Sequence, residues 1–423
     1  MKPALVRAAY TALLRLLLPL YFARLWWRGR REPLYRRHWP ERLGFGAERP
    51  PGGVWVHAVS LGETRAAAAL IDALRQARPG LRIVLTHGTA TGREAGRGLL
   101  AAGDHQAWLP YDTPGAVRRF HRRHQPAVGV LMETEIWPNL LHLAHEVGLP
   151  MVLANARLSD RSLAKGRRLG LLMRPAVAAL TRTLAQTEAD ADRLRQSGVP
   201  KVQVSGNLKF DMTPAPALVD RGREWRRLLA RPVVLAASTR EGEEDMLLQS
   251  WAGLPLPRPL LLVVPRHPQR FDAIFASALG RFGSVVRRSR WGDRPPAGCA
   301  AADVWIGDTL GEMPLYYGLA DVALLGGSFA RFGGQNLIEA AACGCPVLLG
   351  PHTYNFAAAA DDAVAEGAAE RSSDIDSAVR RAVVLCASAE REGLASAALA
   401  FADRHRGAAE RMAGEVLALL ARR

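Results

Sequence analysis

At 423 residues the chain is about two to three times an ordinary domain, and 49% apolar content is enough for two buried cores, which excludes a small stapled or disordered chain. Four cysteines, Cys299, Cys343, Cys345 and Cys386, show neither the density of a disulfide framework nor the CxxC spacing of a structural zinc site, so they read as reduced, buried thiols. A formal charge of +16 leaves nucleic acid, anionic lipid and acidic substrates as partner classes.

Residues 1–45 discriminate among those classes. They hold ten Lys/Arg against two acids, about half the net charge, threaded through Leu13, Leu16, Leu17, Leu20, Trp26 and Trp27. Arg7, Arg15 and Arg24 interrupt the apolar run, which speaks against a full membrane span, and on a helical wheel they do not share one side, so their long chains would have to snorkel. No small-residue cleavage site follows, which disfavours a signal peptide. The boundary Trp26-Trp27-Arg28-Gly29-Arg30-Arg31 suits a headgroup layer, and residues 1–45 are expected to be a basic apolar membrane anchor; an ordinary buried helix is the plainer alternative. Nucleic acid fits less well, because the basic cluster lies beside Leu and Trp surface.

From Val54 onward short apolar runs alternate with helix-length segments, the pattern of parallel α/β units. The spacing predicts strands at Val54–Val56, Ile83–Leu85, Val128–Leu131, Met151–Leu153 and Val202–Val204 in a first doubly wound domain spanning 46–211. Met212-Thr213-Pro214-Ala215-Pro216-Ala217 reads as a stiff spacer, with a linker over 212–228. A second series, Val233–Ala236, Leu260–Val264, Val304–Ile306, Val322–Leu325 and Pro346–Leu349, predicts a second doubly wound domain over 229–400, followed by a C-terminal helix over 401–423. Open sheets of this kind bind ligands beyond the carboxyl ends of their strands, so two of them facing a cleft are expected to carry the chemistry in those loops.

The first such loop is His57-Ala58-Val59-Ser60-Leu61-Gly62-Glu63-Thr64. A carboxylate at a helix start behind a glycine can act as a general base, but read locally Ser60-x-x-Glu63 is first a capping box in which Glu63 satisfies a backbone N–H. After Val128–Leu131 comes Met132-Glu133-Thr134-Glu135-Ile136-Trp137-Pro138-Asn139, two carboxylates beside an indole and an amide; solvated loop charge is the alternative. Asn155-Ala156-Arg157 and Asn207-Leu208-Lys209-Phe210-Asp211 add cations that an acidic sugar would want. In the second half, Pro265-Arg266-His267-Pro268 offers a phosphate-binding cation. Gly326-Gly327-Ser328 and Gly333-Gly334-Gln335-Asn336 give a phosphate backbone room, with Glu339 one turn into the helix for ribose hydroxyls. Thr309-x-x-Glu312 either caps its helix or presents backbone at Gly311. No Walker phosphate loop, dinucleotide fingerprint or metal cluster is present, which disfavours an ATPase or a dehydrogenase.

In their order these blocks resemble the bacterial Kdo transferases, which attach 3-deoxy-D-manno-octulosonic acid (Kdo) to a lipid A precursor. The resemblance runs from the basic N-terminus to Asn355-Phe356 and rests on His57–Glu63, Pro110-Tyr111-Asp112, Met132–Asn139, Ala154–Ser159, Gly206–Asp211, Pro265–Pro268, Gly307-Asp308-Thr309, Gly326–Ser328, Gly334–Glu339 and Gly350-Pro351-His352. It implies a GT-B fold of two Rossmann-like domains, transfer from CMP-Kdo with inversion, and no metal or other cofactor. By motif position, Glu63 matches the general base, Glu133 and Lys209 match groups that assist the transition state, and Pro265, Arg266, Leu310, Gly311, Glu312, Asn336, Leu337, Ile338 and Glu339 match the CMP contacts. The implied partners are CMP-Kdo, a lipid IVA-type acceptor and anionic lipids, with no nucleic acid, at the cytoplasmic face of a bacterial inner membrane. Arg240 and Gln335 stand where the family usually has histidine. Alternatives are another enzyme of the same architecture, such as a lipid-linked hexosaminyl transferase or a sugar-nucleotide epimerase, or a membrane-bound sugar-nucleotide-binding protein without catalysis.

Overall fold

The structure, a computed structural model, describes residues 2–422. The chain forms two compact units: the first holds the residues up to Met212 together with those from Arg406 onward, and the second is Thr213–His405.

The first unit is built on seven strands: β1 (Val54–His57), β2 (Ile83–His87), β3 (His105–Trp108), β4 (Val128–Met132), β5 (Met151–Ala156), β6 (Arg182–Ala185) and β7 (Val202–Val204). They pair in the order β3-β2-β1-β4-β5-β6-β7, every pairing parallel. Strands β1, β2, β4 and β5 are buried along their whole length, as runs such as Val54-Trp55-Val56 require when helices cover both faces. Successive strands are added on one side of β1 up to β3 and on the other from β4 onward, so the loops leaving β1 and β4 flank the switch point where such sheets bind ligands.

The second unit repeats the architecture with β8 (Val233–Thr239), β9 (Leu260–Pro265), β10 (Val285–Arg287), β11 (Val304–Ile306), β12 (Val322–Leu325), β13 (Val347–Leu349) and β14 (Ala369–Arg371), ordered β10-β11-β9-β8-β12-β13-β14 and again parallel. Its switch point lies between β8 and β12.

Two expected boundaries change. The stretch expected as linker is mostly helix, Pro216–Leu228, which belongs to the second unit and packs on the helix Met313–Leu319. Pro216 occupies the helix start, where its missing N–H costs nothing, and Gly222 lies so close to the Leu315 carbonyl that an added Cβ would come within 2.1 Å of it. The final helix, Ala408–Leu420, belongs to the first unit, where Met412, Ala413 and Val416 join the core against the helix Leu61–Ala77. Asp211 anchors it by accepting from Gly407 N–H at 2.6 Å and Ala409 N–H at 2.7 Å.

The N-terminal helix Pro3–Arg28 runs unbroken through Pro19 for about 39 Å. One face packs on the first unit: Tyr10 donates to Asp112 at 3.0 Å, Thr11 exchanges hydrogen bonds with Asn139, Tyr21 lies on Tyr111 and Leu25 is buried. Leu5, Leu13, Leu16, Leu20 and Trp27, spaced by whole helical turns, are left exposed on the opposite face, Leu16 at 75%. Among the described residues this is the one helix long and apolar enough to cross a membrane, by length and composition. The cysteines are unpaired thiols, three of them buried, and burial first, then Glu339, lifts Cys343 to about 12.

Candidate active site

In the first unit Glu63 sits in the first turn of the helix Leu61–Ala77, directly after β1. Ser60 is the N-cap, and its hydroxyl oxygen accepts from Glu63 N–H at 3.4 Å. Glu63 Oε2 accepts from Val59 N–H at 2.9 Å, and Oε1 accepts from the Ser60 hydroxyl at 2.9 Å. The capping geometry is thus realised, one residue earlier than the usual box, while each carboxylate oxygen keeps a second lone pair for a substrate hydroxyl. Burial holds the Glu63 carboxyl above the ordinary range; the Val59 and Ser60 hydrogen bonds pull it back, and Glu133 pushes it up again.

Glu133 follows β4 in the left-handed region at φ 56°, a costly conformation for a non-glycine residue that occurs typically at functional sites. Its carboxylate is buried between two cations: Arg157 Nε donates to Oε2 at 2.9 Å, and Lys209 Nζ stands 4.0 Å from Oε1. Lys209 belongs to a segment beyond the edge strand β7, far from β4 in strand order. Asn155, fully buried at the end of β5 and itself at φ 52°, brings it back by accepting from Leu208 N–H at 3.0 Å. Burial depresses the Lys209 ammonium, opposed by Glu133. Glu63, Glu133, Arg157 and Lys209 therefore share one electrostatic neighbourhood.

Glu135 completes this group. Burial, then the charges of Glu63 and Glu133, raise its carboxyl to about 7.

The expected nucleotide loops of the second unit are spread over three strand ends. Pro265 ends β9 and is buried, while Arg266 is exposed and ties its N–H to Thr239 O. Leu310 is 74% exposed and Gly311 lies at φ 82°. Glu312 occupies the N-cap of the helix Met313–Leu319 but makes no side-chain cap; its carboxylate pairs with Arg288 at 2.7 Å, and Thr309 bonds to it rather than capping the helix. Asn336 caps the helix Leu337–Ala342 by accepting from Ile338 N–H at 3.2 Å. The Leu337 and Ile338 side chains are buried in the unit, so any ligand meets only their backbone, whereas Glu339 is half-buried in that first turn. Gly334 N–H donates to Gly327 O at 2.8 Å, which joins the two glycine segments into one loop beside β12.

Sequence reasoning missed Glu243. It is 2% exposed and accepts from the N–H groups of Arg240, Gly327, Phe329 and Ala330, at 2.8, 2.6, 2.9 and 3.0 Å. It braces the glycine loop on the loop leaving β8, where Arg240 stacks on Phe332 at 4.4 Å. Within Arg240-Glu241-Gly242-Glu243-Glu244-Asp245 it looks like solvated charge; the available signal was its Gly-Glu pair just after the first strand of the unit, as at Gly62-Glu63. Among the described residues no group of three or more His, Cys, Asp or Glu is placed to hold a metal ion.

Residues 37–212 match the family described as 3-Deoxy-D-manno-octulosonic-acid transferase (kdotransferase). The chain is 48% identical to the 3-deoxy-D-manno-octulosonic acid transferase of Bordetella pertussis, covering 96% of this chain and 97% of that one. It is 34% identical to the enzyme of the same description from Haemophilus influenzae, with the same two coverages. Among solved structures, UDP-GlcNAc 2-epimerase from Neisseria meningitidis shares the fold at a TM-score of 0.58 and 16% identity, over 87% of this chain and 99% of that one.

Proposed function

We infer, from the premise that this chain belongs to the Kdo transferase family and is a glycosyltransferase, that it moves Kdo from CMP-Kdo onto a lipid IVA-type precursor with inversion, Glu63 serving as the general base. The observation that carries this reading is the gathering of Glu63, Glu133, Arg157 and Lys209 at the carboxyl-end loops of the first unit, although they come from four separate strand exits.

Glu63 takes the proton from an acceptor hydroxyl as its oxygen attacks the anomeric carbon of Kdo, and CMP departs from the opposite face. Burial raises the proton affinity of Glu63, the direction that suits a base in this step. Positive charge develops at the anomeric carbon, as in glycoside chemistry generally. Glu133, held rigid by Arg157 and Lys209, supplies fixed negative charge toward it, and Lys209 meets the sugar carboxylate. In the second unit Arg266 and the backbone of Leu310–Glu312 and Asn336–Glu339 receive CMP, on a glycine loop that Glu243 keeps in shape. Arg240 provides a permanent cation where a histidine is usual. No metal or other cofactor enters this reading.

The exposed Leu5, Leu13, Leu16, Leu20 and Trp27 face, with its flanking arginines, supports residence on anionic lipid at the cytoplasmic face of a bacterial inner membrane, the helix lying in the interface with its other side packed on the first unit. The test is to give the purified chain CMP-Kdo and lipid IVA in mixed micelles and weigh the lipid product. A mass increase of one or more Kdo units is expected, and an unchanged acceptor beside a folded, membrane-bound protein rejects the reading.

A further inference from the structure

The loop that leaves β10 has no part in the reaction described above, yet it holds the loop that leaves β11, where Leu310, Gly311 and Glu312 lie. The two strands pair in parallel, so their carboxyl-end loops are neighbours. Asp308 and Glu312 bracket the second loop, and both carboxylates are engaged from the first. The buried Asp308 accepts from Ser289 N–H at 2.7 Å, and from the Ser289 hydroxyl and Arg287 Nε at 2.6 Å each. Glu312 accepts from Arg288 Nη2 at 2.7 Å, from the Tyr316 hydroxyl at 3.2 Å and from the Thr309 hydroxyl. Arg288 is buried and fixed in turn: its Nη1 donates to the carbonyls of Trp291 and Gly292 at 3.1 and 3.3 Å, and its guanidinium lies 5.1 Å from the Trp225 ring. Between the two acids the tip of the loop stays open. Leu310 and Gly311 are exposed, and a Cβ added at Gly311 would meet nothing within 4 Å. Among the described residues the N–H groups of Leu310, Gly311 and Glu312 make no hydrogen bond. Unpaired N–H groups at an apex without a side chain let a ligand come close to the backbone.

We propose that Arg288 and Ser289 are positioning residues for CMP: through Glu312 and Asp308 they hold the loop after β11 in the shape that offers its backbone N–H groups to the nucleotide. The inference rests on the reading that Leu310–Glu312 receives CMP. Each of the two acids already takes three donors from the protein, so its part is to fasten the loop, and Glu312 serves CMP through its backbone rather than its carboxylate. The grip is strong because it combines charged partners with short hydrogen bonds away from bulk water. A loop fixed before the ligand arrives loses less conformational freedom on binding, and that difference appears as affinity for the nucleotide.

Calorimetric titration of the full chain with CMP, beside donor and acceptor KM, tests this. Arg288→Met keeps an apolar stem against Trp225 but drops the charge, and Glu312→Ala removes the other half of the same link. Each should weaken CMP binding about 10-fold and raise donor KM more than it lowers kcat, with acceptor KM unmoved. The double variant should bind CMP no worse than the weaker single, because both changes cut one connection. Arg288→Lys should recover part of the loss. Ser289→Ala removes a single hydroxyl at the other end of the loop and should weaken CMP binding about 3-fold without lowering the melting temperature. Effects of Arg288→Met and Glu312→Ala that multiply to about 100-fold overturn the inference, by making the Glu312 carboxylate a contact of its own. Unchanged CMP affinity in Arg288→Met and Ser289→Ala also overturns it, as does an equal rise in acceptor KM, which marks a general loosening of the fold. A wild-type chain that does not bind CMP defeats the underlying reading instead.

Discussion

Each unit places a Gly-Glu pair at the start of the helix that follows its first strand, Gly62-Glu63 after β1 and Gly242-Glu243 after β8, and the two carboxylates have opposite surroundings. Glu243 is buried and saturated by four backbone N–H groups, so it is a brace that fixes a glycine loop. Glu63 is half-buried, accepts two hydrogen bonds, and lies among Glu133, Arg157 and Glu135, so its proton affinity responds to its neighbours. The same local sequence thus gives a structural acid in one unit and a reactive one in the other. What separates them is how many donors reach the carboxylate and how many other charges stand nearby.

The largest effect that sharpens this contrast is on catalysis. Glu63→Gln keeps one acceptor oxygen for Val59 N–H and turns an amide N–H toward the Ser60 oxygen, but cannot take a proton, and should lower kcat by about 10²–10⁴-fold with little change in melting temperature. Lys209→Ala should cost about 10²-fold, from one lost electrostatic partner of the transition state, measured as kcat/KM for the donor. Glu243→Ala should show the reverse pattern: four orphaned N–H groups destabilise the second unit by at least about 2 kcal/mol in urea unfolding, and donor KM rises more than kcat falls. A Glu243→Ala protein as stable as wild type would break the distinction between brace and base.

Acid should separate the units as well. In the first, burial holds His57 and His124 neutral down to about 3, against about 6.5 in an unfolded chain. The unfolded state therefore binds more protons over that window, and stability falls as pH drops below about 6.5, by about 2 kcal/mol per histidine at pH 5. The second unit holds no buried neutral histidine of this kind among its described residues, so hydrogen exchange at about pH 5 should accelerate in β1–β7 before β8–β14. The smallest effect on the fold is expected at the exposed helix face. Leu16→Glu with Leu20→Glu should abolish flotation with anionic vesicles while changing stability by less than about 0.5 kcal/mol.

Much of this was legible in the sequence where residues are buried on both sides. The central strands announce themselves as apolar runs, and β11 and β12 begin and end where the sequence places them, as does the edge strand β7, whose Val202 and Val204 still mark it. Four strands were missed: β3, β10 and β14 are sheet edges, and β6 begins with Arg182 and Thr183. Edge strands such as Ala369-Glu370-Arg371 are polar because one side meets solvent, so they lack the pattern that marks a core strand. Glu63, Glu133 and Lys209 stand in polar loops after strands, which made those loops candidates, but it was the resemblance to the family pattern that picked out these three residues. That Glu133 and Lys209 meet could not, since it depends on the Asn155–Leu208 hydrogen bond, a contact between residues 53 positions apart. Glu243 was hidden for a related reason: charge in a run of five charged residues around Gly242 reads as solvated until the partner loop that buries it is known.

The most direct test of Glu63 as the base of a single displacement is the anomeric configuration of Kdo in the product, read by NMR from transfer catalysed by the purified wild-type chain. Direct attack by an acceptor oxygen that Glu63 deprotonates, with CMP leaving from the far face, predicts a configuration opposite to that in CMP-Kdo. Retained configuration would contradict it.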